Sequence, residues 1–307
     1  MVIERALEKL RQQAGAKVGS GTAAYAPAAP GAAYAPPAAG TKYAPPASTA
    51  ARTSPKPLLP PPVPAGPPRQ TLPQVECDRS AMIAHRILGP NTALAADERA
   101  AAAYRMIRTR LLHRVRGNNL QSIAITSPEA GEGKSVTAIN LALSLARDPT
   151  SNVVLLDLDM RNPSVCRYLG IKPPHELVSY FTGDVSANDV LFSIGPENLA
   201  LAGSLASTDL ASELLGSGRL EALQQYIASV IPNPVILLDL PPVLVTDEAL
   251  LVAPRVDATL LVVAEGQTRR DALVRARTVL ADFNLVGVLL NRSTESTGAS
   301  GYYYHYQ

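Results

Sequence analysis

The stretch Thr126-Ser-Pro-Glu-Ala-Gly-Glu-Gly-Lys-Ser135 decides the fold of this chain. It follows an apolar strand pattern and precedes an amphipathic helix, which is the context that a phosphate-binding loop requires. Glycines let backbone amides close around phosphates, and the helix N-terminus adds its positive dipole. We therefore expect Lys134 to reach the β- and γ-phosphates of a nucleotide and the Ser135 hydroxyl to ligate Mg²⁺. Pro128 stands where the standard motif has glycine, so the loop is a variant.

Strands and helices alternate from Leu120 onward. This order predicts an α/β fold: a mostly parallel sheet with helices on both faces and ligands at the carboxyl ends of its strands. The helix at 247–253 begins at Asp247, which we interpret as its cap rather than as a loop-orienting residue. The predicted strands are Ser122–Thr126, Val153–Asp157, Leu199–Ala202, Val235–Asp239, Thr259–Val263 and Val286–Leu290, and the helices are 134–147, 218–230, 247–253 and 268–282.

Acidic residues end two of these strands. The run Val153-Val-Leu-Leu-Asp157 continues into Asp159 and Arg161, and the run Pro234-Val-Ile-Leu-Leu-Asp239 has the Walker B pattern. Acids beside a nucleotide can hold Mg²⁺ or accept a proton; a capping aspartate is the alternative for the first run. The predicted catalytic residues are Lys134, Asp157, Asp159 and Arg161, and the predicted metal ligands are Ser135, Asp157, Asp159 and Asp239.

Asn291 ends the last predicted strand. There its amide can contact a nucleotide base, although a plain turn residue is an equally simple interpretation. The full set of predicted nucleotide-binding residues is Gly131, Glu132, Gly133, Lys134, Ser135, Val136 and Asn291.

Composition divides the chain into five segments. Residues 1–15 read as a short amphipathic helix, and residues 16–76 as a disordered linker rich in Pro and Ala, which buries too little apolar surface to fold. Residues 77–118 are helical in pattern and rich in Arg, residues 119–292 form the nucleotide-binding domain, and residues 293–307 form a flexible tail.

Bulk properties exclude several classes of protein. A net charge of +2 gives no support for nucleic-acid binding. Two isolated cysteines, Cys77 and Cys166, make neither a zinc site nor a disulfide framework, which fits a reducing cytosol. No apolar run approaches the roughly 20 residues needed to cross a bilayer, and the first residues lack a secretory signal. We expect a cytoplasmic protein whose contact with the inner membrane runs through a partner.

The tail Gly301-Tyr-Tyr-Tyr-His-Tyr-Gln307 carries four of the eleven tyrosines. A solvated tyrosine cluster has no packing explanation, but a mobile tail can enter an active site and accept phosphate. The alternative is an aromatic tail that binds a partner. The predicted phosphoacceptors are Tyr302, Tyr303, Tyr304 and Tyr306.

Taken together, these motifs resemble the bacterial tyrosine kinases of capsule and exopolysaccharide systems over residues 97–307. The start, Ile3-Glu-Arg-Ala-Leu-Glu-Lys-Leu10, resembles the exopolysaccharide autokinases found beside exosortase systems. The resemblance implies a deviant-Walker, SIMIBI-type P-loop sheet and an autokinase that uses ATP and Mg²⁺. By the same resemblance, Asp157 is the best candidate for activating the tyrosine hydroxyl.

The resemblance also implies partners. A membrane-embedded chain-length-determinant protein activates such kinases, a cognate tyrosine phosphatase reverses them, and self-association lets one subunit phosphorylate the tail of another. The family commonly has Glu-x-x-Arg-x-x-Arg at its ring interface. Here Arg105 and Arg108 match the arginines, but Ala102 replaces the glutamate, with Glu98 one turn earlier. Ordinary solvated helix charges are the alternative for both arginines.

Three other functions compete with this interpretation. A MinD/ParA-like switch ATPase would share the nucleotide motifs, but its signature lysine position holds Glu129, and it would lack the tyrosine tail. An iron–sulfur carrier ATPase would need a Cys-x-x-Cys pair, which the sequence lacks. A non-catalytic adaptor would not need the complete set of acids.

Overall fold

A computed structural model describes residues 71–89, 95–196 and 198–293. The predicted N-terminal helix 1–15, most of the predicted linker 16–76 and nearly all of the tail 293–307 lie outside these ranges. None of the described helices is long and apolar enough to cross a membrane.

One eight-stranded sheet organises the described chain, in the order β1-β4-β5-β3-β6-β2-β7-β8. Every neighbouring pair is parallel except β4 and β5, which run antiparallel. The predicted α/β class with a mostly parallel sheet is therefore confirmed. The strands are β1 (Gln74–Val75), β2 (Ser122–Thr126), β3 (Asn152–Asp157), β4 (Phe192–Ile194), β5 (Leu199–Ala202), β6 (Pro234–Asp239), β7 (Ala258–Ala264) and β8 (Leu285–Asn291).

Helices cover both faces of this sheet, because strands buried on two sides alternate their side chains between two cores. In β3, Val153 and Leu155 pack into one core with the helix that follows β2, and Val154 and Leu156 pack into the other. The helices are α1 (Arg79–Ala84), α2 (Ala95–Asn118), α3 (Lys134–Leu145), α4 (Val165–Leu169), α5 (Leu177–Thr182), α6 (Ala187–Val190), α7 (Ala211–Gly216), α8 (Arg219–Val230), α9 (Glu248–Val252) and α10 (Arg270–Val279), with a 3₁₀ turn at Ala253–Arg255.

The predicted helical arm contains two helices, α1 and α2. Helix α1 begins after Asp78, whose side chain accepts from the N–H groups of Ser80 and Ala81. It ends before Arg86, whose φ of 58° is left-handed. The side-chain amide of Asn140 in α3 holds the segment after α1 in place, because it donates to the Arg86 carbonyl and accepts from the Leu88 N–H. The arm therefore packs on the domain.

Two short strands depart from the sequence prediction. Gln74–Val75 was assigned to the linker, yet it pairs in parallel with β4 at the edge of the sheet. Strand β4 itself was not predicted. A run of two or three residues is too short to show the alternation of apolar and polar residues that identifies a strand. These two segments are strands because they pair with neighbouring strands, and not because of a local sequence pattern.

Candidate active site

The phosphate-binding loop joins β2 to α3 at the carboxyl edge of the sheet. Gly131 and Gly133 have φ values of 79° and 89°, which L side chains rarely adopt. A Cβ at Gly133 would also lie 2.2 Å from Nδ2 of Asn291. Both glycines are therefore required by the backbone, and the loop leaves a cradle at the start of α3 where phosphates bind in P-loops.

Lys134 is the first residue of α3, and its ammonium group lies among acids. Nζ is 2.6 Å from Oδ2 of Asp159, 3.8 Å from Oδ1 of Asp239 and 3.2 Å from the Ser135 hydroxyl. Burial on its own would lower the pKa of Lys134, but the charges of Asp239 and Asp159 raise it above its ordinary value. The lysine stays charged, as phosphate neutralisation requires.

Asp157 and Asp239 are paired neighbours at the ends of β3 and β6. Oδ2 of Asp157 accepts the N–H groups of Ser164 and Val165, both at 2.9 Å. Burial, with the charge of Asp239, raises the pKa of Asp157. Burial likewise raises the pKa of Asp239, although the charge of Lys134 acts to lower it. The site thus holds more negative charge than Lys134 balances.

Several buried carboxylate oxygens in this acidic cluster lack a hydrogen-bond donor among the described residues, which fits a binding site for a cation. Oδ1 of Asp157 and both carboxylate oxygens of Asp239 are buried and accept no hydrogen bond from described residues. No group of three His, Cys, Asp or Glu in the described ranges could hold a metal unaided. This suits Mg²⁺, which commonly takes one or two carboxylates and completes its shell with water and phosphate oxygens. Ser135, beside Lys134, is a further oxygen donor there.

In the described part of the chain, Arg161 forms no hydrogen bond or ion pair with the acidic cluster around Lys134. Its guanidinium pairs instead with Glu248, a fully buried residue at the start of α9, and lies 4.0 Å from Asp209. Asp247 precedes α9 without a capping side-chain bond and accepts the Ser212 hydroxyl at 2.7 Å. Arg161 therefore ties the loop after β3 to the segment after β6. Asp247 stands at the N-cap position of α9, as predicted, but its side chain bonds Ser212 instead of the first turn of the helix.

Asn291 braces the phosphate-binding loop from the end of β8. Its Nδ2 donates to the Glu132 carbonyl at 2.9 Å, and Arg292 donates to the Gly131 carbonyl at 2.6 Å. The amide group is therefore used within the loop, and a base contact stays a prediction. Val136, the other predicted contact beyond the loop, is partly buried against the core.

Glu132 and Thr268 form a second brace for the phosphate-binding loop. Of these two residues, the sequence predicts only Glu132 as part of the site. The Glu132 carboxylate accepts the Glu129 N–H at 3.0 Å and the Thr268 hydroxyl. Burial raises the pKa of Glu132, although these hydrogen bonds act to lower it. Thr268 comes from the loop after β7, 136 residues along the chain, and no local pattern singles it out.

The remaining predicted site residues lie elsewhere. Arg105 is exposed on α2, whereas Arg108 donates to the Ser144 carbonyl of α3 at 3.1 Å. Their role in self-association stays a prediction. The phosphoacceptor tyrosines lie outside the described residues.

Comparisons with known proteins agree with this geometry. A family model described as ParA, NUBPL iron-transfer P-loop NTPase, matches residues 119–296. The tyrosine-protein kinase YwqD of Bacillus subtilis (strain 168) is 28% identical over 203 residues, which are 65% of this chain and 84% of the relative. The tyrosine-protein kinase CpsD of Streptococcus pneumoniae serotype 4 is 29% identical over 195 residues, 60% of this chain and 82% of the relative.

A solved structure has the same fold. The kinase domain of VpsO superposes with a TM-score of 0.57 at 26% identity, covering 65% of this chain and all of that one. The predicted resemblance to bacterial tyrosine kinases is confirmed by these relatives.

Proposed function

Since this chain belongs to the P-loop NTPases that the ParA family model describes, we propose that within them it is an ATP-dependent protein-tyrosine kinase that phosphorylates its C-terminal tyrosine cluster. The observation that carries the proposal is the position of Lys134, at the head of α3 between the acids that end β3 and β6. Phosphoryl transfer asks for positioned charges of this kind more than for covalent chemistry.

The phosphate-binding loop positions the nucleotide. Its backbone amides and Lys134 hold the β- and γ-phosphates, and the braces from Asn291 and Thr268 keep the loop in that shape. Ser135, with one or two of the carboxylates of Asp239, Asp157 and Asp159, would hold Mg²⁺. When bound, the ion neutralises charge that develops on the phosphate oxygens.

Asp157 is the proposed proton acceptor. Its Oδ2 is held by two N–H groups, and its Oδ1 is left without a donor. The tyrosine oxygen attacks the γ-phosphorus, the bond to the β,γ-bridging oxygen breaks, and ADP leaves. The hydroxyl proton goes to Asp157, whose raised pKa favours its capture.

The partners follow from the proposed kinase class. A membrane-embedded chain-length-determinant protein activates the kinase and brings it to the inner membrane, a tyrosine phosphatase resets it, and one copy phosphorylates another. The cellular role is control of exopolysaccharide polymerisation and export.

The competing function is a switch ATPase that hydrolyses ATP without phosphorylating protein. Membership of the ParA-type NTPases favours it. Glu129 in place of the signature lysine and the terminal tyrosines argue against it.

Mixing two variants, one without a working nucleotide site and one without the tail tyrosines, distinguishes the kinase from the switch ATPase. A Lys134→Met chain keeps its tail tyrosines and cannot use ATP, and a chain with Tyr302, Tyr303, Tyr304 and Tyr306 all changed to Phe keeps the nucleotide site but lacks the tail acceptors. We expect neither to carry phosphotyrosine alone with Mg-ATP, and the Lys134→Met chain to gain it in the mixture. Hydrolysis of ATP by the chain with the four tail tyrosines changed to Phe, without labelling of its partner, would support the switch ATPase instead.

A further inference from the structure

A groove of about 720 Å³ lies between the second half of α2 and the turn after α3. Its lining includes Arg108, Leu112, His113 and Arg116 from α2, and Arg147 and Asp148 from the turn. We call it the basic groove. It is separate from the nucleotide site, because Lys134 begins α3 whereas the groove lies past its last residue, Leu145. Twelve helical residues span about 18 Å.

The basic groove concentrates positive charge on a chain whose net charge is close to zero. Its lining carries three arginines against one aspartate, whereas the whole chain of 307 residues has a net charge of +2. Asp148 is already paired with Arg116 at 2.9 Å. Arg147 is exposed and makes no ion pair with any residue of the described ranges. An anion that enters the groove could therefore pair with the Arg147 guanidinium without first breaking an ion pair to another described residue.

The wall that carries Arg147 is held in place. The side-chain amide of Asn198 donates to the carbonyls of Ala146, Asp148 and Ser151 at 2.9, 3.2 and 2.7 Å. The opposite wall is fixed where Arg108 donates to the Ser144 carbonyl. Because both walls are fixed before any ligand arrives, ordering the groove itself adds little to the entropy cost of binding.

From these observations, we propose that the basic groove binds a phosphotyrosine peptide, namely the phosphorylated tail of a second copy of this chain. Guanidinium groups match phosphate oxygens in bidentate geometry, and Leu112 offers an apolar floor for an aromatic ring. The chain supplies the ligand itself, since four tyrosines lie in its last six residues. A concave site of this size suits side chains better than it suits a lipid surface. This inference rests on the proposed function as the source of phosphotyrosine.

The test measures binding of a synthetic peptide of residues 298–307, with phosphate on Tyr303 and Tyr304, to the full chain in which all four tail tyrosines are Phe. Fluorescence anisotropy gives the affinity. We expect the phosphopeptide to bind at least about tenfold more tightly than the same peptide without phosphate. Arg147→Glu should weaken it about tenfold, as expected for losing one charge-assisted hydrogen bond. Arg277→Glu, the same charge change on exposed α10, should have no effect.

Three results would overturn the inference: equal binding of the two peptides, no effect of Arg147→Glu, or an equal effect of Arg277→Glu. Vesicles of phosphatidylserine and phosphatidylcholine test a lipid source. If they bind through Arg147 and the phosphopeptide does not, the groove is a membrane contact. Because the peptide is made chemically, a chain without kinase activity still gives a clear answer here.

Discussion

At the residue scale, the buried acids around Lys134 set a conflict between stability and function. Asp157, Asp159 and Asp239 are each at most 4% exposed, and Lys134 forms ion pairs with Asp159 and Asp239. Buried charges without partners lower the free energy of unfolding of the protein when no cation is bound. A bound cation would remove that destabilisation, so the cluster is explained by ligand binding rather than by folding.

The first prediction concerns Asp239→Asn. Removing this charge relieves repulsion with Asp157, and Lys134 keeps its ion pair with Asp159. We expect the melting temperature of the nucleotide-free variant at about pH 8 to rise by roughly 3–6 °C. Autophosphorylation should be lost, and Mg-ADP should no longer add stability beyond ADP alone. Thermal scans with and without nucleotide measure both effects.

The pH dependence of this gain has a defined sign. Burial raises the pKa of Asp239 on folding, so the folded state prefers the protonated carboxyl. The destabilisation is absent below the unfolded pKa of about 4 and grows as pH rises through the folded value. The gain from Asp239→Asn should therefore shrink towards about pH 4. A gain that is equal at both pH values, or a loss at pH 8, would contradict the electrostatic account.

The sequence predicts the site residues that belong to a local pattern, but it does not predict contacts between residues far apart in the chain. Lys134, Asp157 and Asp239 are recognisable because each ends a local pattern, a loop or an apolar strand. The partner of Arg161 is Glu248, 87 residues away, and only the packing of two loops brings them together. Local patterns cannot report such a contact.

At the scale of elements, the phosphate-binding loop depends on backbone shape and on braces from β8 and the loop after β7. The shape can be tested with Gly133→Ala. The positive φ and the 2.2 Å approach of Asn291 leave no room for a methyl group. We expect nucleotide binding to fall by at least about a hundredfold and the melting temperature to drop.

Gly117→Ala is the matched control for that change. It lies in α2, has no atom within 4 Å of an added Cβ, and should raise stability by about 0.5–1 kcal/mol. Calorimetric titration with ADP compares the two variants. Equal nucleotide affinity in the Gly133→Ala and wild-type proteins would contradict the account of the loop.

The second brace is tested by Thr268→Val, which keeps shape and removes the hydroxyl. Glu132 then loses a donor while it stays buried, at a cost of about 1–3 kcal/mol. We expect a weaker affinity for ADP and a lower melting temperature. Thr278→Val removes an exposed hydroxyl that bonds only within α10, and should change neither. If both variants bind ADP like the wild type, Thr268 does not support the loop.

Most of the elements that the sequence predicts are long, although the five-residue helix α9 is also among them. The strands β2, β3, β5, β6, β7 and β8 and the helices α3, α8, α9 and α10 follow from apolar runs and periodicity. The edge strands β1 and β4 and the short helices α4 to α7 hold too few residues for a period to show. Tertiary contacts define them.

At the scale of the whole molecule, the nucleotide site and the start of the tail share one edge of the sheet. Strand β8 ends at Asn291, beside the phosphate-binding loop, and the chain continues for 14 residues from Thr294 to Gln307. A fully extended chain spans at most about 3.3–3.6 Å per residue, so a tail of 14 residues can extend well beyond the nucleotide site of its own copy. The tail of one copy can therefore reach the nucleotide site of another.

Mass spectrometry of the C-terminal peptide, after incubation of the full chain with Mg-ATP, tests the central claim most directly. The account predicts phosphate on the segment Tyr302–Tyr306 in the wild type and none in the Lys134→Met protein. A segment of the membrane partner is added if labelling is slow. ATP hydrolysis with no phosphate on that segment, or equal phosphate in the Lys134→Met protein, would contradict it.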